Sequence, residues 1–476
     1  MKRTYIYIIT GVLCFSFFSC DDKLDVNTDP LAASSANPNA VLPFVFAEYS
    51  ARKMSELGTR ISDVSHHLGH TFNSPKNGTT SIFLTGNTWG TWYVGLLGNL
   101  VLLEADAAEA GTTSNNVQAV AKIMKSQLFF ELTSLWGAVP YTEALDGVNF
   151  PEPNFDSQEV VLDGVVSELD AAMALIDAMP ASGNFDFSSG DLLLGGDMTA
   201  WRELANSIKI RTLMLIRNVA SRESGAESQL VTAFGQPTVS EPVFFGYDGG
   251  SGADNAYFGI VNAFFGPSNE ATQIFGPSQT TVDLLRGNND PRVDLWLVDL
   301  SGTGDYPTAT YGRFPGAEET VLADNIIRGD LPDVYFLPSE IEFYRAELLL
   351  DGVAVGGGTA QAAFETAVSS TVQYWGGGIE GFQGNAVSAA AADAFAASLG
   401  TVDLTKVHEQ LWLETFLRPV VAWNHVRRTN TPALQPSGAA TIPTILKRFD
   451  YPPNEVAANP NTPANPPTET PMWFEN

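Results

Sequence analysis

The sequence predicts a mostly α-helical fold in which helices pack as stacked hairpins. Apolar residues recur at steps of three and four along several long stretches, which is the period of a helix with one buried face. Short loops separate these stretches, as in helical hairpins. One long region, 236–332, lacks this period and is rich in Gly, Pro, Asn and aromatic residues. Because long irregular segments in compact proteins are usually functional, we expect a helical scaffold with irregular, aromatic-rich insertions.

The N-terminus has the three parts of a secretory signal peptide. A basic start is followed by an apolar run over 5–18 and by the small Ser19 before Cys20. This end resembles the lipobox of bacterial lipoproteins, in which the cysteine is lipidated. The aspartates that follow resemble the acidic export signal of surface lipoproteins in Bacteroidetes. The sequence thus predicts a signal peptide, a lipidated tether beginning at Cys20 and a single helical domain, with the respective ranges 1–19, 20–39 and 40–476.

Composition limits the possible partners. The 476 residues carry a net charge of −29 and are 44% hydrophobic. Such acidity disfavours nucleic acid and anionic membrane surfaces, while the apolar content suffices for a large core. Of the two cysteines, Cys14 lies in the signal peptide, so the mature chain cannot form an internal disulfide.

Five helices follow from apolar periodicity in the first half of the chain. Asp156–Ser157 and Asp197 stand directly before two of them and have the short polar side chains that cap helix N-termini. In the helix that starts after Ser157, we expect Val160 and Val161 to point inward. The predicted ranges are 40–57, 89–109, 116–135, 158–178 and 197–219.

The stretch Ser126–Glu143 is the predicted centre of the core. Its apolar residues form a broad helical stripe that ends at Trp136 and Gly137. Gly137 can adopt the left-handed conformation that ends helices, and Pro140 cannot continue one. This stretch explains the fold and gives no function by itself.

Two histidines, His66 and His70, have the i, i+4 spacing of metal ligands on one helical face. The glutamate of a zinc hydrolase motif is missing, however, and Gly69 weakens the helix. Hydrogen-bonded or solvated histidines are the favoured interpretation, and no metal or cofactor is predicted.

Four further helices are predicted after the irregular region, at 339–350, 360–372, 389–398 and 404–416. Pro452–Asn476 is rich in Pro and Asn, which favours an extended segment along the surface.

Several of these stretches together resemble the SusD/RagB family of outer-membrane nutrient-binding lipoproteins, in its SusD-like branch. The resemblance covers nearly the whole mature chain through the order and spacing of its motifs. These are DMTAWRELANSIKIR at 197–211, NDPR at 289–292, SEIEFYRAE at 339–347, VHEQLWLETFLRPVVAWNHVRRTNTPAL at 407–434, KRF at 447–449 and YPPNE at 451–455.

The resemblance implies a tetratricopeptide-like scaffold of helical hairpins whose irregular insertions form the ligand face. It also implies a lipid-anchored protein at the surface of the outer membrane. Such a protein forms a lid on a SusC-like TonB-dependent transporter and captures oligosaccharides, or in some branches peptides, for import. Members of this family are not enzymes.

The motif residues also have ordinary roles in a fold. Asn206, among apolar neighbours, is expected to satisfy a backbone group. Glu340 and Glu347 lie two turns apart on one helical face, and a buried charge needs a partner such as Arg211 or Arg427. The two tryptophans of the longest motif, at 412 and 423, are expected to fill the core.

The binding hypothesis rests on aromatic residues that no helical period explains. Sugars stack their C–H faces on aromatic rings, and amides hydrogen-bond their hydroxyl groups. The candidate aromatic residues, and the asparagines near them in sequence, are Phe72, Phe83, Tyr257, Phe258, Phe264, Phe265, Tyr311, Asn73, Asn255 and Asn262.

Three alternatives stay open. The many Phe and few Trp of the irregular region keep peptide ligands possible. A secreted hydrolase would need a close catalytic carboxylate pair, although no P-loop, Gly-x-Ser-x-Gly or Cys/His zinc motif is present. A purely structural subunit of an outer-membrane complex would lack a ligand pocket.

Overall fold

Helices form most of the computed structural model, as predicted. The structure describes residues 36–70, 82–250, 252–259, 275–308, 319–378, 387–436 and 444–475. The predicted signal peptide and Cys20 lie outside these ranges. Residues Asn37–Asn476 form one compact unit. In the described part of the chain, no helix combines the length and apolarity needed to cross a membrane.

The first half of the described chain is a succession of helices, most of which pack against the next. Two of the predicted helices are α-helices that continue through π-helical turns, at Lys53–Leu57 and Thr91–Leu97. The α-helices are α1 (Pro38–Arg52), α2 (Gly58–Val64), α3 (Ile82–Gly90), α4 (Gly98–Ala110), α5 (Asn115–Trp136), α6 (Gln158–Asp177), α7 (Met198–Arg217) and α8 (Glu223–Phe234).

The predicted caps are confirmed, whereas one predicted buried position is wrong. Ser157 accepts a hydrogen bond from the amide of Val160, and Asp197 accepts bonds from two amides of α7. Val160 is 43% exposed, while Val161 is fully buried. The buried face of α6 follows Val161, Val165 and Leu169 at steps of four, which turns the adjacent Val160 toward solvent.

Helix α5 lies at the centre of the core, as predicted. Trp136 is fully buried and its indole N–H donates to the carbonyl of Asp450, 2.9 Å away. The amide of Phe449 bonds the carbonyl of Leu135 at 2.8 Å. A segment more than 300 positions later in the sequence therefore covers the end of α5. Gly137 ends the helix with φ of 83°.

Gly137→Ala is expected to lower the free energy of unfolding by about 1–3 kcal/mol, because a side chain is strained at this positive φ. A Cβ there would also lie 3.1 Å from Nη2 of Arg448. Gly111→Ala is the matched control, since Gly111 has the same φ but open space around it. Thermal unfolding should show the larger loss for Gly137→Ala. Equal losses would mean that the Arg448 contact is unimportant.

The second half contains a further helical group and five of the six short strands, which form antiparallel pairs. Its helices are α9 (Gln279–Gly287), α10 (Val293–Trp296), α11 (Pro338–Leu350), α12 (Ala360–Gln373), α13 (Ala389–Ser398), α14 (Leu404–Glu414), α15 (Pro419–Thr429) and α16 (Pro453–Ala458). The strands are β1 (Leu68–His70), β2 (Val243–Phe245), β3 (Phe275–Pro277), β4 (Leu297–Asp299), β5 (Thr320–Leu322) and β6 (Asp333–Phe336). They pair as β1–β3, β2–β6 and β4–β5.

Helix α15 links the two helical groups, since it contacts α2, α5 and α14. The C-terminal residues lie along the scaffold but are less extended than predicted, because they include the short α16 and a 3-10 helical turn at Trp473–Glu475. The backbone amide of Trp473 donates to the side chain of Gln158 at the start of α6. The backbone carbonyl of Phe474 accepts from the side chain of Asn218, the residue after α7.

The expected fold roles of the motif residues are largely confirmed. Asn206 donates to the carbonyls of Ala233 and Pro237, both at 2.9 Å. The tryptophans at 412 and 423 are fully buried. Glu340 pairs with Arg211 in two bonds of 2.7 and 2.8 Å.

Glu347 pairs with Arg428 at 2.7 Å and also lies 3.3 Å from His408 and 3.8 Å from Arg217, whereas Arg427 is not paired with it. The guanidinium of Arg427 instead lies 3.9 Å above the ring of Trp423 and donates to backbone carbonyls. Adjacent residues of a helix point about 100° apart, so only one of the two arginines can face α11.

Candidate ligand-binding site

The described part of the predicted ligand region is a helical turn at 255–259. The amide of Asn255 bonds the carbonyl of Gly329 at 2.6 Å, and its side-chain amide donates to the carbonyl of Leu331 at 2.7 Å. Its side-chain oxygen accepts the amide of Tyr257 at 2.8 Å. Asn255 therefore uses both ends of its side chain to fix the turn against the segment before β6.

The turn exposes one of its two aromatic side chains. Tyr257 is fully buried, and burial holds the pKa of its phenol well above the ordinary value of 10.0. Phe258, the next residue, is half-buried. The buried Tyr257 and Asn255 thus act as the support of the turn in this structure, and Phe258 offers the apolar surface.

The remaining predicted ligand residues are not tested. The backbone of Phe83 lies in α3, and its side chain is not among those described. Phe72, Asn73, Asn262, Phe264, Phe265 and Tyr311 lie outside the described residues. A ligand face around these positions stays a prediction.

Sequence reasoning did not single out a groove of about 440 Å³ between the start of α11, α12, α13 and residues 240–242. It is lined mainly by hydroxyl, amide and carboxylate side chains. Ser369 donates to Asp393 at 2.5 Å and accepts from Gln373 at 2.9 Å. The sequence signal is the polar stripe of α12 at positions 366, 369, 370 and 373. Its one aromatic residue, Tyr374, is 5% exposed, so the groove offers little surface on which a sugar could stack.

The histidines form no helical pair, because His70 belongs to strand β1. His67 stacks on Trp412 with ring centroids 4.1 Å apart, and its Nε2 lies 2.7 Å from the carbonyl of Trp412. Burial lowers the pKa of His67 to about 3, so its ring is neutral. No group of three or more His, Cys, Asp or Glu side chains within the described ranges could hold a metal ion.

Two carboxylates come together at Arg418, which bonds both Glu340 and Glu414. Burial and the like charge of Glu340 raise the pKa of Glu414, whereas Arg418 lowers it. The net result is a pKa raised to about 7. Both carboxylates are fully buried. They therefore act inside the scaffold, where a substrate has no access.

Comparison with known families gives one match over most of the chain. Residues 48–452 match a SusD-like family model described as starch-binding, associating with the outer membrane. A search of curated proteins gives no match.

Solved structures share the fold over nearly the full length. A chitin-binding protein matches with a TM-score of 0.77 and 22% identity, covering 92% of this chain and 100% of its own. A SusD/RagB family protein from Bacteroides thetaiotaomicron has a TM-score of 0.73 and 18% identity, covering 93% and 99%. A chitin-binding SusD homologue from Flavobacterium johnsoniae has a TM-score of 0.72 and 19% identity, covering 92% and 97%. At these identities the likeness concerns the fold.

Proposed function

We propose a glycan-binding function from the premise that the chain belongs to the SusD-like family, described as starch-binding and associating with the outer membrane. Family membership is the observation that carries the proposal, and it implies a location at the cell surface. Chitin-binding proteins among the structures with the same fold support a carbohydrate ligand. The buried carboxylates described above agree with a binding protein rather than a hydrolase.

In detail, the protein captures an oligosaccharide or polysaccharide and passes it to a SusC-like TonB-dependent transporter. It is held at the outer membrane by a lipid on Cys20. The lipobox-like end of the signal peptide supports the anchor, and the family supports the partner.

Binding of the lipid-free chain, starting at Asp21, to a panel of polysaccharides and peptides tests this proposal. Affinity gels and calorimetry should show saturable retention by at least one glycan such as starch or chitin. Peptides belong in the panel because the only tryptophan of region 236–332, Trp296, is fully buried, whereas phenylalanines are frequent there. Binding of peptides with no glycan retained would overturn the proposal, and turnover of a glycan would make the protein an enzyme.

The proposed ligand face includes Phe258 together with the predicted ligand residues that lie near it in sequence. Phe258→Ala is expected to weaken glycan binding roughly threefold to tenfold, the range of one aromatic contact. The melting temperature should stay within a few degrees of wild type, because the ring is only half-buried. Calorimetry with the glycan found above measures the affinity.

Phe150→Ala is the matched control, since Phe150 is a 40% exposed phenylalanine in the loop after α5. It should bind like wild type. Equal affinity of wild type and Phe258→Ala would show that this turn is not part of the ligand face. It would not contradict the proposal that the protein binds a glycan.

A further inference from the structure

A separate cavity of about 280 Å³ lies between α4, α5, α6 and the loop that follows α5. Its buried lining includes Ser126, Phe129 and Val165, and its more exposed lining includes Lys125, Tyr141 and Glu168. The volume leaves room for several water molecules. It lies at the lower end of ligand pockets, which suits a single ring better than an oligomer.

The wall formed by Tyr141 depends on a glycine in the middle of α6. A Cβ at Gly164 would lie only 2.4 Å from the ring and hydroxyl of Tyr141. Glycine inside a helix costs about 1 kcal/mol relative to alanine. The close approach of the tyrosine gives this glycine a packing role that no other residue can fill.

The loop that carries Tyr141 is fixed before any ligand arrives. The carboxylate of Asp156 accepts the backbone amides of Tyr141 and Thr142 at 3.2 and 2.7 Å. The ring of Tyr141 packs edge-on against Phe129, with centroids 4.8 Å apart. Phe129 is itself 4% exposed, so the half-buried ring of Tyr141 is the aromatic surface that the cavity offers to a ligand.

A buried hydroxyl without a partner lies in this cavity. Ser126 is 2% exposed and lines the cavity, and its Oγ has no hydrogen-bond partner among the described residues. An unpaired buried polar group costs free energy, which a ligand hydroxyl entering the cavity would recover.

The charged lining residues are already neutralised by neighbouring side chains. Lys125 pairs with Glu104 at 2.5 Å, and Glu168 pairs with Lys122 at 2.8 Å. A charged ligand would have to break one of these pairs. An uncharged ligand can use the same groups as hydrogen-bond partners and leave both pairs intact.

We propose that this cavity binds one uncharged sugar ring, either a free neutral monosaccharide or the terminal unit of a glycan. The sugar would place its C–H groups against the ring of Tyr141 and a hydroxyl near Ser126. This inference rests on the proposed function for the expectation of a sugar, while the size, polarity and charge of the cavity select the single neutral ring.

Ligand-detected NMR titration of the lipid-free chain with D-glucose and N-acetyl-D-glucosamine tests the inference. Glucosamine and glucuronic acid serve as charged counterparts. Ser126→Ala should weaken binding of the neutral sugar roughly threefold to tenfold, the range of one hydrogen bond, with an unchanged or raised melting temperature. Gly164→Ala should abolish binding by displacing Tyr141. Gly225→Ala in α8, where the added Cβ meets open space, should bind like wild type.

Equal binding by wild type, Ser126→Ala and Gly164→Ala would place the sugar elsewhere and overturn the inference. Binding of only the charged sugars, or of no monosaccharide at millimolar concentration, would also overturn it. Retention of polysaccharide by the wild-type chain is measured in parallel. If the wild-type chain retains no polysaccharide, the proposed function is contradicted. If it retains polysaccharide but binds no monosaccharide, only this inference is contradicted. Competition between glucose and an oligosaccharide with a blocked reducing end, lost in Ser126→Ala, would show that the cavity binds the terminal unit of a glycan.

Discussion

Glu340→Gln is expected to lower the free energy of unfolding by about 3–5 kcal/mol, the loss typical when one partner of a buried ion pair is removed. Glu340 is fully buried between Arg211, which bonds it at 2.7 and 2.8 Å, and Arg418 at 2.5 Å. A glutamine cannot balance two buried guanidinium groups. The helices that these residues join, α7 and α11, and the residue before α15 would lose their common ionic contact.

Urea unfolding followed by tryptophan fluorescence measures this loss. Glu342→Gln is the matched control, because Glu342 lies on the same helix and pairs with Arg345 at a partly exposed site. Its loss should stay within about 1 kcal/mol, as for surface pairs. Similar losses for the two variants would show that the pair at Glu340 stabilises the fold no more than a surface pair.

The same site predicts a loss of stability in acid. Burial alone would raise the pKa of Glu340, but Arg211 and Arg418 outweigh burial and hold its pKa at about 2, below the ordinary value of 4.5. A carboxylate with a depressed pKa stabilises the folded state above pH 4.5 and loses that contribution as the pH falls toward 2. Glu340→Gln should therefore lose less stability than wild type over this acid range.

The helical scaffold could be predicted from sequence because its determinants are local. The period of α5, the caps at Ser157 and Asp197 and the stop at Gly137 are each set by neighbouring residues. Arg211 could also be named among the candidate partners of Glu340, since a buried carboxylate on a helix requires a cation, although the second partner, Arg418, was not predicted.

Features set by distant residues could not be predicted. Which of Arg427 and Arg428 meets Glu347 depends on the rotation of α15 relative to α11, and the sequence does not give that angle. The position of Asn255 likewise depends on carbonyls more than 70 positions later, at Gly329 and Leu331. Aromatic residues in an irregular region therefore point to a ligand face without separating its support from its surface.

The cavity beside Tyr141 is a further feature that the sequence alone does not predict. Its sequence signal is a glycine at 164 within the strongly periodic α6, which local propensity disfavours. Such a glycine indicates close packing by something else. The sequence does not say that the packing group is Tyr141, which lies in the preceding loop.

Glu131→Gln is expected to act in the opposite direction to Glu340→Gln and to stabilise the protein at alkaline pH. Glu131 is 2% exposed. Its Oε1 accepts the hydroxyl of Tyr49 at 2.5 Å and the amide of Gln127 at 2.8 Å. Its Oε2 has no hydrogen-bond partner among the described residues. Burial outweighs the nearby charge of Lys53 and these bonds, and raises the pKa of Glu131 to about 7 from 4.5.

The sign of the pH dependence follows from this raised pKa. Between pH 4.5 and 7 the folded protein holds a proton on Glu131 that the unfolded chain has released. The contribution of this group to stability therefore falls as the pH rises through that window, by about 3 kcal/mol in total. Glutamine keeps the acceptor oxygen and carries no charge, so the variant should match wild type near pH 4.5 and exceed it at pH 8.

Chemical unfolding at a series of pH values from 4.5 to 8 provides the measurement. Tyr49→Phe is the contrasting variant, because it removes a donor to the carboxylate, raises the folded pKa of Glu131 further and should extend the fall in stability to higher pH. The two variants thus change the same profile in different ways: Glu131→Gln flattens it, and Tyr49→Phe makes the fall begin at the same pH and end at a higher one. Profiles of wild type and Glu131→Gln that run parallel from pH 4.5 to 8 would mean that Glu131 is already ionised throughout, with Lys53 close enough to compensate for burial.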